Sequence, residues 1–335
     1  MNGWPVELIS YVFGLACADD GNTVRALSLT SKQCREIARP FLFQSLVITT
    51  TAQLITLSER LRETPAHLRR IRYLFLSINH EHAIDRCEAI VPLIINALQL
   101  VAGSLRTLTL VVPCPLTGTA VLSCLFRIPF PHLEELTVAG LYAFSFQTGN
   151  FPRLRRLHFA AGNKNPHGLF QFGALDRAFP ELTSLRVSGL SKAVSFVDEL
   201  GRALEDAQRT PDEASLPERI SPLADVASRL PPHLETIYVQ HASPSPSPAP
   251  SRAPSRSPSA ANLSQALVVP SGSTNDRHKI MIERLADLGA KYDTRSENRA
   301  AVQLVVLDGA VAAAPKQDWL DRLDGKEGAW ISYKT

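Results

Sequence analysis

Charge of one sign is scarce in this sequence. Its 335 residues carry 35 lysines and arginines against 32 aspartates and glutamates, a formal net charge of +3, and the basic residues are scattered rather than clustered. So small a balance gives no reason to invoke nucleic acid as a partner. Cysteine is scarce too. Cys17, Cys34, Cys87, Cys114 and Cys124 are odd in number and form no CxxC pair, which fits reduced thiols in a cytoplasmic or nuclear protein rather than a disulfide framework. The first residues lack the basic segment and apolar run of a signal peptide. The most apolar stretch, Ala89 to Ala102, contains Pro92, Asn96 and Gln99 and is too short to span a bilayer, so no membrane partner is expected. Asn262-Leu263-Ser264 matches a glycosylation sequon, and without secretion it is expected to stay unused.

Enzyme signatures are lacking as well. The sequence contains no G-x-x-x-x-G-K-[ST] loop, no H-E-x-x-H and no G-x-S-x-G. The nearest approach to a metal site is His80, His82, Asp85 and Cys87. Those residue types bind zinc, but their spacing matches no structural zinc site, and a polar loop is the expectation. No catalytic residue, metal or cofactor is assigned, and the chain reads as a non-enzyme.

What is present begins with Trp4 to Leu46. Pro5 suits the first turn of a helix, where its missing N–H has no partner to lose. Leu8, Ile9, Val12 and Phe13 follow at helical spacing. Asp19-Asp20-Gly21-Asn22 interrupts the pattern, and Asn22 or Thr23 is the expected cap of a second helix with Val24, Leu27 and Leu29 on its apolar side. Ser31 is the expected N-cap of a third helix through Ile37 and Ala38, ended by Pro40. Short helices with apolar residues on more than one side need a partner for the second side. Pro5, Leu8, Ile9, Val12, Leu27 and Leu29 are the candidate partner-facing residues.

The order of residue types here resembles an F-box. Pro5, Glu7, Leu8 and Ile9 match the family's opening; Leu27, Ser28, Leu29, Ser31, Lys32, Arg35, Ile37 and Ala38 match its middle; Pro40, Leu42 and Phe43 match its close. Trp4 stands where the family has leucine and Cys34 where it has tryptophan; both are apolar, so a helical core is kept. The resemblance implies that the first 46 residues dock on a Skp-type adaptor of a cullin–RING ubiquitin ligase.

Beyond this segment, a Leu-x-x-Leu-x-Leu signal recurs. It stands at Ile71, Leu74, Leu76; at Leu105, Leu108, Leu110; at Leu133, Leu136, Val138; at Leu154, Leu157, Phe159; at Leu182, Leu185, Val187; and at Leu234, Ile237, Val239, with a weak last copy at Val302, Val305, Leu307. The spacing lies in or near the ~20–29 residues of leucine-rich repeats. Several copies follow a proline phrase, such as Phe130-Pro131-His132, Phe151-Pro152-Arg153 and Phe179-Pro180-Glu181; there proline should end the preceding helix and set an extended approach to the strand. Helical stripes lie between copies: Ile90, Val91, Ile94, Leu98, Val101; Val121, Leu122, Leu125, Phe126; Leu169, Phe172, Leu175, Ala178; and Val194, Val197, Leu200, Leu204. The expected fold class is α/β: a short helical F-box-like N-terminus followed by an irregular leucine-rich-repeat-like solenoid with a parallel sheet. The asparagine common after the strand in such repeats is missing, so the repeats are degenerate. An ordinary α/β sheet is the other fold compatible with the pattern.

The expected division is 1–46 F-box-like, 47–241 repeat-like, 242–275 a disordered Ser/Pro-rich insertion, and 276–335 a last repeat and C-terminal cap. The insertion has no aromatic or large aliphatic residue from Ala242 to Ala261 and so cannot bury enough surface to offset ordering entropy. Its Ser-Pro steps at Ser243, Ser245, Ser247 and Ser257 are candidate proline-directed phosphorylation sites, and no P-x-x-P pair argues for an SH3-type ligand. Ile280, Met281, Arg284, Leu285 and Leu288 fit one more helix, and Trp319, Leu320 and Leu323 a short closing helix over the open end of the stack.

Side chains alternate along a strand. If Leu74 and Leu76 point inward, Tyr73 and Phe75 should point out on a concave face, joined by Arg156, His158, Arg186 and Tyr238 from later copies. These six are the candidate target-binding residues, because aromatic and arginine side chains dominate interface hot spots. The implied function is a non-catalytic, substrate-recognising adaptor of an SCF-type ubiquitin ligase with an undefined protein target. The alternative is a leucine-rich-repeat-like scaffold not linked to ubiquitination.

Overall fold

The computed structural model describes residues 4–78, 84–141, 146–160, 162, 164–172, 174–208, 229–243, 272–292, 302–309 and 314–330. His80, His82, Ser245, Ser247, Ser257 and the Asn262 sequon lie outside the described residues, as do the side chains of Asp85 and Cys87.

Three helices open the chain: α1 (Val6–Ala16), α2 (Asn22–Thr30) and α3 (Lys32–Ala38). Ser31 caps α3 as expected, its Oγ accepting from the Cys34 amide at 3.0 Å. The start of α2 is held differently. Asp19, not Asn22 or Thr23, supplies the oxygens: Oδ1 accepts from Gly21 N at 3.0 Å and Oδ2 from Thr23 N at 2.8 Å. Gly21 lies at φ 92°, a left-handed conformation that glycine adopts without steric cost. Pro40 sits in a 3-10 turn, Arg39–Phe41, that ends α3. Ile9, Phe13, Cys17, Val24, Cys34, Ile37 and Ala38 form a small core, flanked by Leu27 and Phe41 and separate from the main core of the chain. Burial and the neighbouring Asp19 push the Cys17 thiol up to about 11, so it packs as a small hydrophobe and is not a nucleophile at neutral pH.

One buried amide joins this unit to the rest. Gln44 Nε2 donates to the Gly14 carbonyl of α1 at 2.8 Å. The Gln44 carbonyl in turn accepts from Arg72 N and Tyr73 N at 2.8 and 3.0 Å, where a strand begins.

The main unit is a single eight-stranded sheet, all parallel, with strands in sequence order among the described residues. They are β1 (Ser45–Ile48), β2 (Tyr73–Ser77), β3 (Thr107–Val111), β4 (Glu135–Ala139), β5 (Arg156–Ala160), β6 (Ser184–Leu190), β7 (Thr236–His241) and β8 (Gln303–Leu307). Helices α4 (Thr51–Glu63), α5 (Ile84–Val101), α6 (Pro115–Leu125), α9 (Val194–Gln208) and α10 (Gly272–Tyr292) connect successive strands. The third expected helical stripe is broken into α7 (Leu169–Phe172) and α8 (Leu175–Ala178), with Ala174 left-handed at φ 44° between them. α4 begins with a complete capping box between Thr50 and Gln53, which satisfies two amides that the helix itself cannot.

The leucine signal sets the register. Leu74, Leu108, Leu136, Leu157 and Leu185 pair in one row that continues through Ile237 and Leu304. The inward side chains of these strands and the apolar stripes of the crossover helices form one continuous core. The starts of β3 to β7 repeat one device: the carbonyls of Arg72, Arg106, Glu134, Arg155 and Thr183 each accept from two consecutive amides of the next strand's approach.

The last copy of the signal is corrected. Leu304 pairs with Ile237, and Val306 with Val239, so the inward positions of β8 are Leu304 and Val306, one residue away from the expected Val302, Val305, Leu307 frame. Five apolar residues in six leave the period ambiguous in that stretch, and pairing with β7 decides it.

The proline phrases also do something other than expected. Phe130, Phe151 and Phe179 each place their carbonyl on the amide three residues on, at Leu133, Leu154 and Leu182. Each phrase is therefore a tight turn with proline at its second position, where its fixed φ fits. The phenylalanine before each proline is fully buried. Phe130 stacks on Phe151 at 5.5 Å, Phe151 lies 5.5 Å from Phe179 and 5.9 Å from Phe126, and Phe146 adds contacts to Phe126 and Phe179 at 4.6 and 5.1 Å. A run of rings thus crosses three successive units beneath the sheet.

α11 (Pro315–Leu323) and a following 3-10 turn, Gly328–Trp330, do not cap the end of the stack. They lie across the sheet face opposite the crossover helices, over β3 and its neighbours.

Candidate functional site

Two surfaces carry the candidate residues. On the N-terminal unit, α1 buries Ile9 and Phe13 toward the small core and turns a second apolar face outward. Leu8 is 52% exposed, Tyr11 68%, Val12 49% and Leu15 65%, at spacings that put them on one side of a helix. Trp4 and Pro5 precede them, both exposed, and Leu29 is exposed on α2. Of the candidate adaptor-binding residues, Pro5, Leu8, Val12 and Leu29 are outward and Leu27 is half-buried. Ile9 is core, one position out of phase with Leu8 and Val12, and so is unavailable to a partner. Trp4, Tyr11 and Leu15 were missed, although the i, i+3, i+4, i+7 spacing of Leu8, Tyr11, Val12 and Leu15 could have found them.

On the sheet, Tyr73, Phe75, Arg156, His158, Arg186 and Tyr238 do share one face, in paired registers across β2 to β7. That face is covered by the chain's own C-terminal segment. Phe75, expected to be exposed, is 4% exposed, its ring 5.9 Å from the indole of Trp319 on α11. Trp330 lies against three of the other candidates: 6.1 Å from the His158 ring, 6.0 Å from the Tyr238 ring, and 5.8 Å from the Arg156 guanidinium. Arg186 and His158 are buried, while Tyr73, Arg156 and Tyr238 are half-buried.

Glu135 on β4 is the polar centre of this cover. Its Oε1 accepts from Trp330 Nε1 at 2.9 Å and its Oε2 from Arg322 Nε at 3.0 Å, with Arg156 Nη1 3.9 Å from Oε2. Beside it, Arg186 donates to Ser188 Oγ at 3.1 Å and to Gln240 Oε1 at 2.8 Å, and His158 Nε2 lies 2.9 Å from Ser188 Oγ. Glu135, Trp319, Arg322 and Trp330 were not singled out as site residues. Local pattern holds no signal that pairs β4 with a segment nearly two hundred residues further on.

Burial, and then the Arg186 charge, hold the His158 imidazole well below its ordinary range. Asp318 on α11 is raised by burial, partly offset by Arg186. A neutral buried histidine makes acid destabilising. Its unfolded form takes a proton near pH ~6.5 that the folded form refuses, so stability falls as pH drops below that value, by up to ~1.4 kcal/mol per pH unit. Asp318 has the opposite sign, contributing stability below its unfolded pKa that is lost as pH rises through the raised folded value. His158→Gln should therefore lose less unfolding free energy than the parent between pH 7.5 and 5.5 in urea titrations. Parallel losses in the two proteins would show that His158 titrates freely.

Among the described residues no helix is long and apolar enough to cross a membrane, and no cluster of three or more metal-ligating side chains occurs. Cys17 and Cys34 are buried, and Cys114 and Cys124 are half-buried. No family model matches the chain, and neither the curated proteins nor the solved structures contain a match to it.

Proposed function

We propose that the chain is a non-catalytic adaptor of a cullin–RING ubiquitin ligase. Its F-box-like helical unit docks on a Skp-type adaptor, and its leucine-rich-repeat-like unit receives a target protein. The observation that carries this reading is the double-sided α1. One side closes a small core of its own, and the other presents Leu8, Tyr11, Val12 and Leu15 to solvent. An apolar helix face left open after the fold has closed is the mark of a docking surface. The ordered F-box-like residues between Pro5 and Phe43 support a Skp-type adaptor as the partner. Gln44, bonded to both α1 and the start of β2, would hold the docked adaptor in a fixed relation to the sheet. Such a chain contributes proximity: it raises the effective concentration of a target lysine at the ubiquitin-conjugating enzyme.

The test is co-migration of the full chain with a purified Skp-type adaptor in size-exclusion chromatography. A stoichiometric complex is expected. Failure to associate at micromolar concentration would leave the repeat-like scaffold outside the ubiquitin pathway as the surviving reading.

A further inference from the structure

The covered sheet face is occupied by a segment of the chain itself. Within Pro315–Trp330 the chain makes a short helix, a turn and a second short helical turn. Trp319 and Arg322 lie one helical turn apart and point the same way, the first onto Phe75 and the second onto Glu135. Gly328, at φ 54°, lets the chain fold back: a Cβ there would stand 2.5 Å from the Asp318 carbonyl oxygen and 2.9 Å from Arg322 Cγ. That reversal delivers Trp330 into the site made by Arg156, His158, Tyr238 and Glu135. Arg322 Nη1 donates to the Lys326 carbonyl at 2.9 Å, and Lys326 Nζ lies 3.2 Å from Asp321, so the segment is braced by its own bonds.

Three properties set this cover apart from the core beneath the sheet. It meets the face through two indoles and a few polar bonds, whereas the crossover helices meet the other face through a continuous apolar core. It leaves buried polar atoms without a hydrogen bond, among them Trp319 Nε1 and His158 Nδ1, and such atoms weaken an interface. It also continues from β8, so nothing in the sheet's own pairing requires it.

We propose that this face is a receptor for a short protein segment that folds as a helix and a reversing turn and carries two aromatic anchors and an intervening arginine, and that Pro315–Trp330 is a built-in competitor for it. The aromatic anchors fill the Phe75 site and the Arg156–His158–Tyr238 site, and the arginine and an indole N–H satisfy Glu135. The inference rests on reading the sheet unit as the target-binding part and is independent of adaptor docking at α1.

The experiment uses the full chain and a fluorescein-labelled peptide with the sequence of residues 315–330. Gly328→Val forces the close approach open and should release the segment. By fluorescence anisotropy the peptide should bind the Gly328→Val chain at one site. It should bind the parent chain more than ~10-fold more weakly, because the face is occupied in most molecules. A peptide carrying Arg322→Glu should lose more than ~10-fold on the Gly328→Val chain. A folded Gly328→Val chain that binds no peptide overturns the proposal and leaves the adaptor reading untouched, since α1 retains its own complex. Should Gly328→Val fail to fold, hydrogen exchange on the parent chain decides: residues 315–330 are expected to open while β3 to β6 stay protected. Exchange of both only on global unfolding would make the segment an integral part of the core and overturn the proposal.

Discussion

Phe151→Ala should cost about 3–5 kcal/mol of unfolding free energy, the range for removing a fully buried phenylalanine. The ring has no exposed surface and touches rings from the units before and after it: Phe126 and Phe130 on one side, Phe179 on the other. Its removal leaves a cavity at a junction, and the flanking turn, Phe151 O to Leu154 N, is built on the same residue. Neighbouring rings cannot collapse into the gap without leaving their own partners, so relaxation recovers little of the lost contact. The measurement is urea unfolding with the slope held equal between variant and parent. Phe43→Ala, on a ring 44% exposed, is the control and should stay within ~0.5 kcal/mol. A loss under ~1 kcal/mol for Phe151→Ala would show that the units are not coupled through this ring.

Leu8→Asp with Leu15→Asp should abolish binding to the Skp-type adaptor while leaving the thermal midpoint nearly unchanged. Both side chains are more than half exposed, lie two turns apart on the outer face of α1, and make no part of either core. Placing two carboxylates in an apolar interface carries their desolvation without a partner, which is enough to lose a micromolar complex. Ile9→Asp is the informative contrast. It buries a charge in the small core, so it should unfold the helical unit and lose binding for that reason. The docking reading requires the two outcomes to separate: binding lost with the fold intact for the outer pair, and both lost for Ile9→Asp. An outer pair that melts the protein, or that binds as the parent does, removes α1 as the docking surface.

Where a residue's environment follows from its neighbours in sequence, the sequence was readable. Ser31 caps α3 because a hydroxyl three residues before an amide can reach it. Leu74, Leu108, Leu136, Leu157 and Leu185 align because alternate apolar positions can be buried in only one phase of a strand. The rule failed where its signal was degenerate. In β8, Leu304 to Leu307 are all apolar, so either phase satisfies the pattern, and hydrogen bonding to β7 selected the frame. In α1, Leu8 and Ile9 are both apolar, and the positions of α2 and α3 decided which one is inside.

The C-terminal segment marks the limit most clearly. Trp319, Leu320 and Leu323 announce an apolar helical stripe, and a stripe says that something will cover it without saying what. The bond from Trp330 to Glu135 spans 195 residues, and no local periodicity encodes such a distance. The sequence by itself determined the strand–helix alternation, the inward rows of β2 to β7 and the separate helical start, because each follows from side-chain periods of two and 3.6 residues. Tertiary structure alone decided that the face bearing Tyr73, Phe75, Arg156, His158, Arg186 and Tyr238 is occupied. That outcome depends on complementary shape and charge between segments far apart in the chain, which meet only once the sheet has formed.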